Sequence, residues 1–150
     1  MAIPTIKWVN NSVKIIDQRK LPLKLEFMVC RDVKTLWKAI KTLAVRGAPA
    51  LGVAAGFGVL LGLKDLKVKG MKDRKEFDRH LEKNCHYIGT SRPTAVNLFN
   101  ALDRMKNVAR RNSSASIGKI KQLLKKEALA IFEEDRHVCR EMGRLGARLI

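Results

Sequence analysis

The chain has 150 residues, of which 46% are hydrophobic, and this length and composition suit one domain with a modest core and exclude a disordered chain. Its 31 Lys and Arg residues outnumber 14 Asp and Glu residues, which gives a formal charge of +17. Such an excess attracts anions such as nucleic acid, an acidic membrane or a phosphorylated small molecule, although the basic residues are scattered, which is equally typical of a solvated basic surface.

The three cysteines, Cys30, Cys85 and Cys139, lie far apart and form no CxxC pattern. This spacing argues against a disulfide framework or a structural zinc site, and free thiols indicate a reducing, cytoplasmic compartment. The first residues, MAIPTIKWVNN, lack the apolar segment of a signal peptide. The longest apolar run, GAPALGVAAGFGVLLGL, is shorter than a membrane span and rich in glycine, so it predicts a buried helix.

A β-hairpin is predicted near the N-terminus, where TIKWV and SVKII flank the pair Asn10 and Asn11. Both runs alternate apolar with polar residues, and asparagine tolerates the positive φ angles of a tight hairpin turn. The segment LPLKLEFMV follows and predicts a third strand, because apolar residues alternate at positions 25, 27 and 29. Pro22 should keep the start of that strand at a sheet edge or in a turn.

Two helices are predicted next in the chain. From Asp32, a candidate N-cap, apolar residues recur at helical spacing over about three turns. The stretch from about Pro49 to about Leu63 is apolar on every side, so its neighbours should surround it. Glycines within this stretch weaken its helix propensity by about 1 kcal/mol each, which predicts the close approach of another helix or of a ligand. They are Gly52, Gly56 and Gly58.

The second half of the chain predicts a loop and three more helices. KDLKVKGMKD predicts a basic loop, and RKEFDRHLEKNCHYIG predicts a helix with one apolar face. After Pro93, a helix carries an apolar stripe of Val96, Phe99, Leu102 and Met105, and a long amphipathic helix follows the loop NSSAS. The predicted fold class is therefore α+β, a small antiparallel three-stranded sheet followed by a helical bundle.

Two stretches, VRGAPALGV and TSRPTAVNLF, place an arginine and then a proline before a helix. Proline favours the first helical position, so Pro49 and Pro93 are predicted to mark two helix starts. The first turn of a helix leaves backbone N–H groups unpaired and carries partial positive charge, which suits a phosphate. Arg46 and Arg92 lie just upstream, and a guanidinium offers a planar fork of donors for phosphate oxygens. Two such ends, if they converge, would bind a sugar phosphate.

Four neighbouring residues extend this hypothesis. Gly47 and Ala48 leave space for a ligand near the backbone, and Ser91 and Thr94 add hydroxyl donors near the second helix start. For either motif alone, an arginine that caps a carbonyl or pairs with a surface carboxylate is the more common outcome. RGAPA lacks the spacing of a P-loop or of GxGxxG, so a nucleotide-binding fold is not indicated.

The motifs VRGAPALGVAAGFG and SRPTAVNLFNALDRM closely resemble those of the methylthioribose-1-phosphate isomerase family, aldose–ketose isomerases of methionine salvage that are related to the regulatory subunits of initiation factor 2B. IDQRKLP and EDRHVCREMGRLGA add to the resemblance, which runs from about residue 5 to the end. It implies an N-terminal α+β domain at residues 1–140. Residues 141–150 would begin the connection to a Rossmann-like second domain that lies outside this chain.

The resemblance also implies a site. Arg46, Gly47 and Ala48 of RGA, with Arg92 of SRP, would bind the sugar phosphate between the two domains of a cytoplasmic homodimer. The catalytic cysteine and aspartate of the family belong to the second domain, so no catalytic residue is expected in residues 1–150, and this chain alone is expected to be inactive. No metal or nucleotide cofactor is implied, and neither is a membrane partner.

Other functions remain open from the sequence. Within the superfamily, the alternatives are a ribose-1,5-bisphosphate isomerase and a non-catalytic initiation factor 2B-like regulatory subunit; the SRPTAVNLF motif favours methylthioribose phosphate. In another class, a basic helical module could bind nucleic acid, and the charge of +17 favours that hypothesis. The two Trp, one Tyr and five Phe fall mostly on apolar stripes, so stacking platforms for bases are not evident and nucleic acid is not the expected partner.

Overall fold

The computed structural model describes residues 3–67 and 73–149, which form an α+β fold with three strands and five helices. The predicted fold class is confirmed. Part of the predicted basic loop KDLKVKGMKD lies outside the described residues. In chain order the elements are β1 (Ile6–Val9), β2 (Ser12–Ile16), β3 (Phe27–Cys30), α1 (Val33–Lys41), α2 (Ala48–Leu63), α3 (Arg74–Gly89), α4 (Val96–Arg111) and α5 (Ile117–Gly146).

The sheet is antiparallel with strand order β1-β2-β3. Asn10 and Asn11 join β1 to β2 with φ angles of 49° and 54°, which confirms the predicted hairpin turn. The third strand is shorter than predicted. Its predicted first residues instead form a turn, in which the Lys24 N–H donates to the Lys20 carbonyl oxygen at 2.9 Å. The alternation along LPLKLEFMV also faces outward, since Phe27 is exposed and the buried residue of β3 is Cys30.

The first helix begins as predicted at Asp32, whose carboxylate accepts a hydrogen bond from the Thr35 N–H at 2.7 Å. It ends earlier than the apolar spacing suggests, because Leu43 adopts a φ of 64° and turns the chain out of the helix. The following residues, Ala44 and Val45, are buried and lead into α2. This turn places the segment before α2 against the end of α1.

The centre of the core is α2, which is buried at every position from Leu51 to Leu63 except Gly62. All four other helices and the inner face of the sheet pack around it, as its apolar composition predicts. The Phe57 ring lies 5.7 Å from the Trp8 ring of β1 and 5.9 Å from the Phe132 ring of α5. A sheet residue, a central residue and a residue of the last helix thus share one core.

The start of α4 crosses closely over α2. A Cβ atom built on Gly52 would lie 3.1 Å from the carbonyl oxygen of Asn97, so glycine permits this approach. The predicted apolar stripe of α4 is wrong in part. Leu102 and Met105 are buried, but Val96 and Phe99 are exposed, because the buried face of the helix starts at Leu98.

The longest helix, α5, continues without a break through residue 140 to Gly146. The division of the chain into residues 1–140 and 141–150 stays a prediction. Over the described ranges 3–67 and 73–149, no helix combines the length and the apolar character needed to cross a membrane.

Candidate functional site

The N-terminal end of α2 presents open backbone to its surroundings. Gly47 is the N-cap with a φ of 94°, a conformation that favours glycine, and its carbonyl accepts the Leu51 N–H at 3.0 Å. No side chain in residues 3–67 or 73–149 caps this helix, and a Cβ built on Gly47 would meet none of their atoms within 4 Å. Pro49 occupies the second helical position and not the first, which Ala48 takes. The first turn therefore offers N–H groups and positive partial charge to a ligand.

Arg46, just before this helix end, is held by the turn that follows β2. Its Nη2 donates to the Gln18 carbonyl oxygen at 2.9 Å, and the Gln18 amide nitrogen lies 3.4 Å from the Arg46 carbonyl oxygen. The Gln18 N–H also donates to the Ala44 carbonyl at 3.1 Å. The guanidinium of Arg46 thus has a defined position while most of its donors stay unoccupied by these contacts.

The turn that holds Arg46 is itself fixed by an ion pair. Arg19 binds both carboxylate oxygens of Asp17, at 2.8 Å and 2.6 Å, and donates to the Thr42 hydroxyl at 3.0 Å. Asp17 is only 4% exposed, and the hydrogen bonds from Arg19 hold the pKa of its carboxyl below the ordinary value. Residues 17–19 belong to the IDQRKLP motif, whose structural role in the site could not be recognised from its composition.

The second helix start differs from the prediction. Pro93 does not begin α4; it lies in a turn closed by a hydrogen bond from the Ala95 N–H to the Arg92 carbonyl at 3.0 Å, and the helix begins at Val96. Ser91 is buried, and its hydroxyl donates to the Ile88 carbonyl at 2.6 Å, so it closes the end of α3 and does not serve as a ligand donor. The turn nevertheless carries Arg92 toward the N-terminal end of α2.

The two helix starts converge on one cleft of about 420 Å³, which we call the anion cleft. Its volume is in the range of small-molecule sites, about 300–1,000 Å³. All four residues predicted to bind substrate lie on it. Its lining is Leu43, Arg46, Gly47, Ala48, Leu51, Arg92, Thr94, Ala95, Val96 and Asn97. No carboxylate, thiol or imidazole belongs to that described lining, which therefore offers donors to an anion but holds no general acid or base.

Neither arginine of the anion cleft is neutralised within the described part of the chain. The ion pairs found there involve other arginines, such as Arg104 with Glu127 and Glu134. The Arg92 side chain is half-buried and has no hydrogen-bond partner among the residues described. Two uncompensated guanidiniums beside an uncapped helix N-terminus give the cleft a positive potential suited to a phosphate.

The cysteines lie away from the anion cleft. Burial raises the pKa of the Cys30 thiol to about 11 and that of the Cys85 thiol to about 12, so both are protonated and inert at neutral pH. Cys139 is exposed on α5. In residues 3–67 and 73–149, no group of three or more His, Cys, Asp and Glu side chains is arranged to hold a metal ion.

Sequence reasoning missed five residues of the lining, namely Leu43, Leu51, Ala95, Val96 and Asn97. Leu51 was assigned to a buried helix, which is correct, and Val96 to a buried stripe, which is wrong because Val96 is exposed. Neither assignment shows that the start of the helix faces a cleft. Asn97 lines the anion cleft and also a neighbouring cleft of about 320 Å³ between α2, α4 and α5, which contains Arg104 and Glu134. For Leu51, Val96 and Asn97, the position within the first turn of a helix is the one signal that could have indicated this role, and Leu43, after the end of α1, has no such signal.

The fold and the site define a class of protein: an α+β domain that presents two arginines and an open helix N-terminus to a small anion. Residues 44–150 match the Initiation factor 2 subunit family, and the chain belongs to that family. The resemblance carried by the RGAPALG and SRPTAV motifs is therefore confirmed at the level of the family.

Relatives with similar sequences are named as sugar-phosphate isomerases. The chain is 43% identical over 150 residues to the methylthioribose-1-phosphate isomerase of Geobacter sp. (strain M21), covering 100% of the chain and 42% of the relative. It is 43% identical over 148 residues to the 5-deoxyribose 1-phosphate isomerase of Moorella thermoacetica, covering 99% of the chain and 41% of the relative. The chain thus spans about two fifths of the length of these relatives.

Two solved structures share the fold. The 5-methylthioribose 1-phosphate isomerase from Pyrococcus horikoshii OT3 matches with a TM-score of 0.82 and 40% identity, covering 88% of this chain and 36% of that one. The translation initiation factor eIF-2B subunit delta from A. fulgidus matches with a TM-score of 0.86 and 41% identity, covering 99% of this chain and 42% of that one. The same domain therefore occurs in proteins named as an enzyme and as an initiation factor subunit.

Proposed function

We propose that the protein to which this chain belongs is an aldose–ketose isomerase that converts 5-methylthioribose 1-phosphate to 5-methylthioribulose 1-phosphate, and that this chain supplies its phosphate-binding half. The observation that carries the proposal is the convergence of Arg46 and Arg92 on the anion cleft. The names of the relatives support the reaction and the substrate. A homodimer in the cytoplasm, with substrate between two domains, belongs to the same proposal and rests on the resemblance alone.

The chemistry divides between binding and proton transfer. The anomeric oxygen of the substrate carries the phosphate, so the ring must be opened by a proton delivered to the ring oxygen. Hydrogen then moves from C2 to C1, by an enediol-type species or a hydride shift, and the C2 hydroxyl gives up its proton to a base as C2 becomes the ketone. These steps need general acid–base groups in a water-excluding site. The lining of the anion cleft holds none, and the proposal assigns them to the catalytic cysteine and aspartate of the second domain.

Arg46 and Arg92 would hold the phosphate and keep the reacting carbons in register. Arg46 has a fixed position through Gln18, and Arg92 has free donors, so together they can bind several phosphate oxygens. The N–H groups at the start of α2 add donors where Gly47 leaves the backbone open.

The test is Arg92→Ala in the complete enzyme. The variant should raise KM and lower kcat/KM by about tenfold to a thousandfold, which corresponds to about 1.4–4 kcal/mol. Because the Arg92 side chain makes no hydrogen bond or ion pair with a described residue, the unfolding transition should stay unchanged. Arg79→Ala on the exposed surface of α3 is the matched control, and it should leave both properties unchanged. An unchanged kcat/KM in Arg92→Ala would remove that residue from the site.

A second candidate function follows from the match to the eIF-2B subunit delta from A. fulgidus, which covers nearly the whole chain. In that case the protein would be a non-catalytic regulatory subunit whose anion cleft binds a sugar phosphate without turnover. Turnover assays separate the candidates. Conversion of 5-methylthioribose 1-phosphate supports the isomerase, and binding without conversion by the complete protein supports the regulatory subunit.

A further inference from the structure

A second cavity, of about 260 Å³, lies at the opposite end of α2 from the anion cleft. The first turn of α2 lines the anion cleft, whereas its last turn lines this cavity, so the two are separated by about 15–20 Å along the helix axis. They share no lining residue. We call the second one the lysine cavity, because Lys64, Lys121 and Lys125 all line it.

The floor of the lysine cavity is apolar. Leu60, Leu63 and Leu124 line it and belong to the buried core. Trp8 of β1 lines it as well, and the Trp8 ring is held 5.7 Å from the Phe57 ring. An apolar cavity of about 150 Å³ holds benzene, so this one has room for about ten non-hydrogen atoms. An apolar ligand of that size would leave water on binding.

The rim of the lysine cavity is cationic, since three lysines and no Asp or Glu belong to its lining. Two of these lysines have backbone acceptors. The Lys121 ammonium donates to the Leu66 carbonyl at 3.2 Å, and the Lys64 ammonium donates to the Arg31 carbonyl. Carbonyl groups position an ammonium but do not neutralise it, so the rim keeps its positive charge.

Lys125 is the rim cation that no contact explains within the described part of the chain. It lies one helical turn after Lys121 on the same face of α5 and makes no hydrogen bond or ion pair with a residue that the structure describes. Lys64, by contrast, lies near a carboxylate: the pKa of the Asp32 carboxyl is lowered by the Thr35 N–H and also by the charge of Lys64. The Lys125 ammonium is therefore available to an anionic ligand.

Two neutral donors accompany Lys125 at the cavity. The Gln122 amide is exposed and has no hydrogen-bond partner among the residues described. The Trp8 indole N–H also lacks such a partner, and it is open to solvent, because every buried side-chain nitrogen and oxygen in the described ranges has one. In contrast, the Trp37 indole N–H donates to the Thr90 hydroxyl at 2.9 Å.

These donors fit a singly charged anion. An ammonium, an amide and an indole N–H can each donate to a carboxylate oxygen. The described lining contains no arginine, so it lacks the planar fork of donors that suits a doubly charged phosphate.

We propose that the lysine cavity binds a small monocarboxylate with an apolar body, such as a medium-chain fatty acid. The carboxylate binds Lys125 and Gln122 at the rim, and the apolar chain packs on the leucines and the Trp8 ring. An uncharged ligand of the same shape forgoes the cation, and a free phosphate forgoes the apolar floor. This site does not depend on the proposed function, because none of its residues lines the anion cleft.

Titration of octanoate into the complete protein labelled with fluorotryptophan tests the proposal. The fluorine resonance that disappears in Trp8→Phe belongs to Trp8, and octanoate should shift that resonance saturably. From butyrate to octanoate, each added CH₂ should raise the affinity about two- to fourfold. Decanoate should gain little more, because the cavity is then full. Octanol and octyl phosphate should each bind at least about threefold more weakly than octanoate.

A pair of lysine variants tests the rim. Lys125→Gln should weaken octanoate binding about three- to tenfold and leave octanol binding unchanged. Lys126→Gln is the matched control, since it removes the same charge from the next residue of α5, which is exposed and outside the lining. It should bind octanoate as the unmodified protein does. Arg92→Ala should also leave octanoate binding unchanged, because Arg92 lies at the other end of α2.

Four results would overturn the proposal. The first is a Trp8 resonance that does not move up to the solubility limit of octanoate. The second is equal weakening by Lys125→Gln and Lys126→Gln, which would show attraction by the overall charge alone. The third is binding of octanol or octyl phosphate as tight as that of octanoate. The fourth is weakening by Arg92→Ala, which would place the acid in the anion cleft. None of them affects the proposed sugar-phosphate site, which the kinetics of Arg92→Ala test separately.

Discussion

The close crossing of α2 and α4 predicts opposite effects for two similar glycine substitutions in α2. Gly52→Ala would place a Cβ 3.1 Å from the Asn97 carbonyl oxygen, a backbone atom that can move only with the start of α4. Gly56→Ala would place its Cβ 3.5 Å from the nearest atom, the Cδ1 of Ile131, at ordinary van der Waals distance. Both changes lie inside one buried helix, so they alter helix propensity equally and differ only in this contact.

The magnitudes follow from two opposing terms. Alanine in place of glycine stabilises a helix interior by about 1 kcal/mol, and Gly56→Ala should therefore raise the free energy of unfolding by up to about 1 kcal/mol. Overpacking a well-packed core costs about 1–3 kcal/mol, so Gly52→Ala should be neutral or destabilising by up to about 2 kcal/mol. The difference between the two variants, about 1–3 kcal/mol, isolates the cost of pushing α4 away from α2.

Urea unfolding at equilibrium measures this difference. With an m value of about 2 kcal/mol/M, the midpoints of the two variants should differ by about 0.5–1.5 M at equal m. Because Asn97 lines the anion cleft, Gly52→Ala should also weaken binding of inorganic phosphate, whereas Gly56→Ala should not. Equal upward shifts of both midpoints would refute the close approach at Gly52.

Two further predictions concern titratable groups. The Asp17–Arg19 pair lowers the pKa of the Asp17 carboxyl from 3.8, its value in the unfolded chain. The stability that the pair contributes is therefore fully present above about pH 5 and is lost as the pH falls through 3.8 to the lower pKa of the folded state. Asp17→Asn should lose about 1–2 kcal/mol at neutral pH and flatten this acid-side decline, as measured by urea unfolding at several pH values; an unchanged decline would contradict the pairing. A disulfide-exchange reagent such as DTNB should modify Cys139 rapidly in the native state, and Cys30 and Cys85 only after unfolding; fast reaction of a second thiol would contradict their burial.

Much of the fold follows from local signals in the sequence. The paired asparagines at positions 10 and 11 give the hairpin, Asp32 gives the start of α1, and the apolar run after Pro49 gives the buried central helix. Each of these signals determines the backbone conformation of residues close to it in the sequence. The third strand was misjudged because alternation alone predicts a strand. Two hydrogen bonds, from the Asp17 N–H to the Glu26 carbonyl and from the Lys20 N–H to the Asp17 carbonyl, decide where pairing stops.

The sequence predicted the charged residues of the anion cleft's lining but not its apolar residues. Arg46 and Arg92 were found because an arginine before a helix has a chemical consequence that can be stated from the sequence. Leu43 carries no such signal, since a left-handed leucine at a helix end is set by the burial of the residues after it and not by its own propensity. Ser91 was assigned to the ligand because a hydroxyl suits several partners, and only the fold shows that it bonds to Ile88.

The central helix explains why an arginine precedes a long apolar run. Because α2 is apolar on all sides, the bundle surrounds it, and its N-terminal end beside Gly47 is where its unpaired N–H groups reach the surface. Arg46 is already bonded to Gln18 there and so loses little side-chain freedom when an anion binds, whereas the unpartnered Arg92 must become ordered on contact. Under the proposed function, we therefore expect Arg46 to set the position of the anion and the close crossing at Gly52 to set the distance of Arg92 from it.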